Sequence, residues 1–301
     1  MIVTCLIGDP VEHSLSNYMY NYFAKKVGLN YGHVKFKVSS KNRNNLKIAI
    51  QALKILGING ANITIPYKVK VMRYLDKIDK TAKAIGAVNT IINKNNKLIG
   101  YNTDGVGAIQ AIEKYLREIK PSDQIVVFGA GGVARVVVFE LSKKTKKITV
   151  LNRTPDFYLA QNLRNDFIKF NNQIEILPLN DMNIIKETVK SDFVINATSV
   201  GMFPNTKESL LSKSQFAIIN TRSPVKNKYF FDVVYPHLTK FLSIAKEKYN
   251  AKVCPGLYMT IYQGIKTFKL WTEKDVPENC VNFVYKLLKS KFKQIQCTKK
   301  L

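Results

Sequence analysis

The chain has 301 residues, 46% hydrophobic and 11% aromatic, which suits one large or two ordinary packed domains and excludes a disordered chain. No apolar run approaches the roughly 20 residues of a membrane span, and the polar turn at Asp9 makes the N-terminus a first core strand rather than a secretory signal. Lys and Arg number 47 against 21 Asp and Glu, a formal charge of +26. The basic residues are spread along the whole chain with no zinc-finger, RRM or KH signature, so the expected attraction is for small anions and no nucleic-acid partner is expected.

In chain order, residues 2–7 read as a buried strand. Residues 15–27 carry helical spacing at Leu15, Tyr18, Met19, Tyr22 and Phe23. A second strand is expected over 34–38, a helix over 46–56 stopped by Gly57, and a third strand over 61–65 closed by Pro66. Residues 88–92 and 97–100 form a strand pair turning at Lys94-Asn95-Asn96. A helix over about 105–119 leads through the turn Pro121-Ser-Asp123 to a β-branched run over 124–128. That run enters a glycine loop, followed by a helix over 133–141 and a strand over 147–151. Further strands are expected at 175–177, 193–196 and 216–220, and helices at 258–271 and 281–292. Strands alternating with helices predict an α/β fold in two parts. An N-terminal α/β domain, 1–104, is completed by the C-terminal helices from about 256 to 301, and a Rossmann-type dinucleotide-binding domain, 105–255, is inserted between them. The cysteines Cys5, Cys254, Cys280 and Cys297 have no paired spacing that suits zinc or redox work and read as reduced thiols of a cytoplasmic protein.

Gly129-Ala130-Gly131-Gly132-Val133-Ala134 fits the G-x-G-x-x-G/A fingerprint in its proper context, after a hydrophobic strand and before a helix. Gly129 allows the tight turn, Gly131 lets the backbone approach a pyrophosphate, Ala134 keeps helix and strand close, and the helix start offers N–H groups to the anion. An NAD site has Asp or Glu some 20 residues on. Here the next strand ends in Asn152-Arg153-Thr154, whose guanidinium and hydroxyl suit a 2′-phosphate. NADP is therefore the expected cofactor, while Asp156 just beyond leaves NAD use open.

Four segments of the first domain carry more polar residues than packing needs. Ser14 and Ser16 lie two apart, so that both hydroxyls can hold a carboxylate, or simply cap the following helix. In Asn62-Ile-Thr-Ile-Pro-Tyr-Lys68 the alternation sends Asn62 and Thr64 to one side and leaves Lys68 at the edge, where an enclosed amine exchanges protons near neutrality. Gly86-Ala-Val-Asn-Thr90 and Gly100-Tyr-Asn-Thr-Asp104 complete the set, and Asp104 is placed to orient Lys68 and accept a bond from a substrate hydroxyl.

These segments, in this order, resemble the shikimate/quinate dehydrogenase family over nearly the whole chain. Beside the segments above, Asn196-Ala-Thr-Ser-Val-Gly-Met202 and Gly256-Leu-Tyr-Met-Thr-Ile-Tyr-Gln263 match its motifs. The resemblance implies a substrate domain and a Rossmann domain with the active site in the cleft between them. Ser14 and Ser16 would hold the substrate carboxylate; Thr64, Lys68, Asn89, Asp104 and Gln263 would bind ring hydroxyls. Lys68 and Asp104 would be the proton-transfer pair, Tyr235 a further substrate contact, and Thr198 and Gly256 would border the cofactor together with the glycine loop. The implied reaction is reversible NADPH-dependent reduction of 3-dehydroshikimate to shikimate, in chorismate and aromatic amino acid biosynthesis, by a monomer or homodimer. Departures from the pattern are Asn17 where Pro is usual, Tyr20 where His is common, and Asp232-Val-Val-Tyr-Pro236, one residue shorter than D-x-x-Y-x-P. The tail from Gln263 to Pro277 is nearer the quinate/shikimate subgroup, so quinate/shikimate dehydrogenation with NAD or NADP is the alternative. A non-catalytic ligand- or nucleic-acid-binding regulator of the same fold is a third reading.

Overall fold

The structure, a computed structural model, describes residues 1–171, 173–235 and 237–298; of residues 295–298, which include Cys297, only the backbone is described. The chain divides into two compact units, Met1–Thr103 with Ile261–Leu301, and Asp104–Thr260. The divisions fall after Thr103 and Thr260, against expected ones after 104 and 255, which puts Asp104 in the second unit.

The first unit holds a six-stranded mixed sheet of β1 (Ile2–Gly8), β2 (Tyr31–Lys37), β3 (Gly60–Ile63), β4 (Lys77–Ile78), β5 (Thr90–Lys94) and β6 (Lys97–Tyr101), ordered β2-β1-β3-β5-β6-β4. β1 runs parallel to β2 and β3, and β5 antiparallel to β3 and β6. The β5–β6 hairpin turns on Asn95 and Asn96, with φ of 52° and 58°; asparagine tolerates the left-handed conformation that such tight turns require. Three helices accompany these strands: α1 (Ser16–Lys26), α2 (Arg43–Ile55) and α3 (Lys80–Ile85). Asn42 caps α2 by accepting from the Asn44 amide, and Leu46, Ile50 and Leu53 are its buried residues. That i, i+4, i+7 stripe packs on Cys5, Ile7, Ala61, Ile63 and Ile91 of the sheet.

The second unit opens with α4 (Asp104–Tyr115) and alternates β7 (Gln124–Phe128), α5 (Gly132–Leu141), β8 (Lys147–Asn152), α6 (Phe157–Phe167), β9 (Ile174–Pro178), α7 (Asp181–Lys190), β10 (Phe193–Asn196), α8 (Lys213–Arg222), β11 (Tyr229–Asp232), α9 (Lys240–Ser243) and β12 (Lys252–Pro255). Its six strands are all parallel, in the order β12-β11-β10-β7-β8-β9. Read from β9, this is the doubly wound dinucleotide-binding order, with the direction of winding reversing between β7 and β10. Because helices cover both faces, the strands are continuous apolar runs. Phe128, Val194 and Phe230 pack with Phe216 and Phe241 in one core cluster.

The chain then returns through α10 (Gly256–Thr272) and α11 (Cys280–Thr298). From Ile261 onward it belongs to the first unit, where Phe283 of α11 stacks on Tyr22 of α1 at 4.6 Å. No helix among the described residues is long and apolar enough to cross a membrane. Cys5, Cys254 and Cys280 are free and buried, and burial pushes the Cys5 thiol up to about 12, far from reactivity.

The α/β expectation holds, with one element corrected. Residues 216–220, expected as a strand, belong to α8. Ser212 and Gln215 form a reciprocal capping box at its start, Ser212 accepting from the Gln215 amide and Gln215 from the Ser212 amide. The apolar run Phe216-Ala-Ile-Ile mimics a strand only when those caps are ignored; Phe216 and Ile219, three apart, are the buried pair.

Candidate active site

The loop after β1 carries the serine pair. Ser14 donates its hydroxyl to Ser16 Oγ at 3.1 Å and accepts the Ser16 amide at 3.3 Å. Both are half-buried. The N-cap position of α1 is Leu15, which makes no side-chain cap. β2 braces this loop from one face. Lys35 donates its ammonium to the carbonyls of Glu12 (3.2 Å) and Ser14 (3.1 Å), and His33 Nε2 lies 3.1 Å from Ser16 Oγ. On the far side of the ring, His33 Nδ1 is 2.8 Å from Thr4 Oγ1, which also meets the Tyr31 hydroxyl. Asn21 of α1 accepts the His33 amide at 2.9 Å. Burial, and secondarily the charge of Lys35, lower the pKa of His33 to about 3, so the imidazole is neutral at physiological pH.

A buried polar knot forms where β3, β5, β6 and α10 meet. Asn89 Oδ1 accepts the Thr103 amide and the Thr90 hydroxyl, both at 2.9 Å, and Asn89 Nδ2 donates to Thr103 Oγ1 (3.0 Å) and Gln263 Oε1 (3.5 Å). Thr267 Oγ1 completes it, 3.0 Å from Thr90 and 2.9 Å from Thr103. Asn62 donates to the Asn89 carbonyl at 3.2 Å. Gln263 is half-buried while Asn89 and the three threonines are buried, so the knot sets the orientation of the Gln263 amide from behind. Thr64 follows β3, and its methyl would lie 2.3 Å from any Cβ at Gly8, which is why the serine loop can leave β1 only from glycine. Lys68 closes the same turn, and its carbonyl accepts the Val88 amide at 2.8 Å, tying the turn to the Asn89 segment.

In the second unit Gly129 follows β7 with φ +100°. A Cβ there would sit 2.9 Å from the Thr198 methyl and 3.1 Å from the Ala197 carbonyl oxygen. Thr198 follows β10, so the turn and the threonine meet at the carboxyl ends of the two strands where the sheet reverses, the ligand position of such sheets. Ala130 and Ala134 are buried, and Val133 is half-buried. A Cβ at Gly131 or Gly132 would meet nothing within 4 Å, and no side chain caps α5. An uncapped ten-residue helix behind an open glycine backbone is a fitting cradle for a pyrophosphate. Asn152 ends β8 and donates to the Asp156 carbonyl at 2.6 Å. Arg153 is exposed and paired with the Asp156 carboxylate at 2.5 Å, while Thr154 lies on the surface. That ion pair lies at the surface after β8 and engages one oxygen of the carboxylate that was the candidate ribose acceptor.

Thr198 is itself held. Its amide and hydroxyl both donate to Asn196 Oδ1 (3.0 and 2.7 Å), and Asn196 Nδ2 donates to Asp232 Oδ1 at 3.0 Å. Gly256 opens α10 with its Cα so close to Val233 that a Cβ would lie 2.4 Å from that carbonyl oxygen. Tyr235 is 43% exposed in the loop after β11, and Pro236, which closes the shortened segment, lies outside the described residues.

Ser14, Ser16, Thr64, Lys68, Asn89 and Gln263 belong to the first unit. Asp104, Tyr235, Thr198, Gly256, the glycine turn and residues 152–154 lie in the second. Tyr31, His33 and Lys35 escaped the sequence reading, because alternation alone does not say which side of β2 faces inward. On β2 the apolar Val34 and Phe36 are 43% and 46% exposed while His33 is 2% exposed. The polar residues occupy the alternate positions and face inward, the reverse of an ordinary half-buried strand.

Residues 6–91 match the family model of the shikimate dehydrogenase substrate binding domain, and residues 111–243 match that of shikimate / quinate 5-dehydrogenase. A shikimate dehydrogenase (NADP(+)) of Methanococcus aeolicus is 44% identical over 270 residues, covering 89% of this chain and 90% of that protein. A crystal structure of a shikimate dehydrogenase in complex with NADP+ aligns with a TM-score of 0.82 and 38% identity over 98% of this chain and 95% of its own. The shikimate 5-dehydrogenase of Listeria monocytogenes, in complex with shikimate and NAD, aligns with a TM-score of 0.83 and 30% identity over 94% and 96%. On motifs, fold and relatives together, the chain belongs to the shikimate dehydrogenase family.

Proposed function

We propose that this chain catalyses the reversible, NADPH-dependent reduction of 3-dehydroshikimate to shikimate, a step toward chorismate and the aromatic amino acids, as a cytoplasmic enzyme. The observation that carries this reading is the first unit's polar array. It sets a braced pair of serine hydroxyls, suited to one carboxylate, in the same unit as the Asn89–Gln263 knot, suited to several ring hydroxyls. In this reading the first unit holds the substrate and the second the dinucleotide. The backbone from Gly129 to Ala134 cradles the pyrophosphate, Asn152, Arg153 and Thr154 take the 2′-phosphate, and Thr198 and Gly256 shape the nicotinamide end.

When bound, the cofactor supplies the hydride. The protein's own residues supply orientation and the proton. Ser14 and Ser16 fix the carboxylate end of the ring, and Thr64, Asn89 and Gln263 fix its hydroxyls. Lys68 gives the proton to the oxygen that becomes the new hydroxyl, and takes it back in the oxidative direction, with Asp104 as its carboxylate partner. Tyr235 is a further contact to substrate.

The test compares kcat/KM for shikimate and quinate with NADP+ and NAD+, in wild type and in Lys68→Ala. The shikimate and NADP+ combination is expected to lead, and Lys68→Ala to lower kcat by about 10²–10⁴. Near-normal turnover without the amine removes Lys68 from the proton step, and a lead for quinate with NAD+ overturns the substrate assignment.

A further inference from the structure

The path from Tyr31 to the serine pair has a polarity. His33 and Thr4 are 2% and 0% exposed, and the imidazole ring lies 4.7 Å from the ring of Tyr20 and 5.8 Å from that of Trp271, so it is held in place by flanking aromatics. A neutral imidazole has one N–H and one lone pair, and the contact that each nitrogen makes selects between its two tautomers. Among the described residues, the Tyr31 hydroxyl has one hydrogen-bond partner, Thr4 Oγ1. The Tyr31 hydroxyl is half-buried and Thr4 Oγ1 is the one acceptor the chain offers it, so the chain's own pairing has Tyr31 donating to Thr4. Thr4 then gives its own hydrogen to His33 Nδ1, 2.8 Å away. The imidazole proton is left on Nε2, facing Ser16 Oγ at 3.1 Å. Ser14 donates to the same oxygen at 3.1 Å. With both lone pairs of Ser16 Oγ engaged, its hydrogen is the one feature left to offer outward.

We propose that Tyr31, Thr4 and His33 form a one-way hydrogen-bond relay that fixes His33 as the Nε2–H tautomer and presents the Ser16 hydroxyl as a donor to the substrate carboxylate. This rests on the assignment of Ser14 and Ser16 to that carboxylate. A carboxylate is acceptor-only, so a serine held as donor matches it. In the opposite polarity Ser16 gives its hydrogen to Nε2 and meets the anion with a lone pair, and the Tyr31 hydrogen loses the one acceptor it has among the described residues. His33 is therefore a positioning residue, acting through Ser16 rather than on the substrate.

Two measurements test the relay. The chain has three histidines, so the ring nitrogens of His33 can be assigned by ¹⁵N NMR on the wild-type protein with one variant as reference. The relay requires a protonated Nε2 and a lone pair on Nδ1, and an Nδ1–H signal overturns it. In kinetics, His33→Gln keeps an N–H donor near the Nε2 position, whereas His33→Asn reaches only toward Thr4. The Asn variant is expected to raise KM for shikimate about tenfold, the scale of one lost donor, with kcat within about twofold. The Gln variant should recover most of that KM. Equal KM values for the two variants refute the relay even if both are less stable than wild type. If the wild type does not oxidise shikimate at all, the functional reading fails instead, and the tautomer still decides the relay by itself.

Discussion

Asp232 offers a quantitative handle on the second unit. Its carboxylate is fully buried at the end of β11. Oδ1 accepts from Asn196 Nδ2 (3.0 Å) and the Val234 amide (2.9 Å), and Oδ2 from the Thr239 hydroxyl (2.6 Å). Burial outweighs those three donors and raises its pKa from 3.8 to about 6. Between these values the folded chain keeps a proton that the unfolded chain has released, so stability falls as pH rises through the interval and levels off above pH 6. A gap of about two units at about 1.4 kcal/mol per unit amounts to about 3 kcal/mol. In Asp232→Asn the amide oxygen keeps the partners of Oδ1, and the Thr239 hydroxyl turns to accept from the amide nitrogen, so the dependence vanishes. Urea unfolding followed by far-ultraviolet circular dichroism, at pH values from about 4 to 7, measures both proteins. The wild type should lose about 2 kcal/mol relative to the variant between pH 4 and 6, the larger part of the full gap. A flat difference, or one that rises with pH, shows that the three donors win over burial and refutes the reasoning.

Two further substitutions probe other parts of the molecule. Arg153→Ala removes the guanidinium that Asp156 anchors and should raise KM for NADPH roughly tenfold or more, the scale of a lost charge-assisted bond, with little change for NADH; equal effects on both cofactors dismiss the 2′-phosphate assignment. Gly60→Ala places a Cβ 2.2 Å from Trp271 Nε1 and 2.6 Å from the Ile91 carbonyl oxygen, so it should cost about 1–3 kcal/mol by overpacking. A change in unfolding free energy below about 0.5 kcal/mol shows that the site relaxes freely.

How far the sequence foretold this structure depended on whether the signal was local. The runs at 124–128, 147–151 and 193–196 are β-branched, apolar and bounded by turn residues, and all three are strands of the parallel sheet. β11 and β12 were not anticipated. Tyr229-Phe-Phe-Asp232 and Lys252-Val-Cys-Pro255 are four residues each, too short for a period to show, and only the pairing of β11 with β10 and of β12 with β11 makes them strands. In the site, the serine pair and the glycine turn were legible because each is compact in sequence. Thr103 and Thr267 were not: they lie 164 positions apart and meet at 2.9 Å, and nothing in either neighbourhood announces the other. β2 was anticipated over 34–38 from its apolar residues, which are the ones that face outward, so the residues bracing Ser16 fell outside the reading.

Trp271, described above as one wall of the His33 pocket, is the chain's single tryptophan. Its ring is 8% exposed and its N–H is bonded to the Ile91 carbonyl at 2.8 Å. Selectively excited emission therefore originates from one spot, the junction of α10 with the sheet of the first unit. The chain carries an optical reporter there without labelling, and the second unit is dark at that wavelength. A fluorescence melt follows one unit while circular dichroism follows both, so the two can be told apart in the unmodified protein.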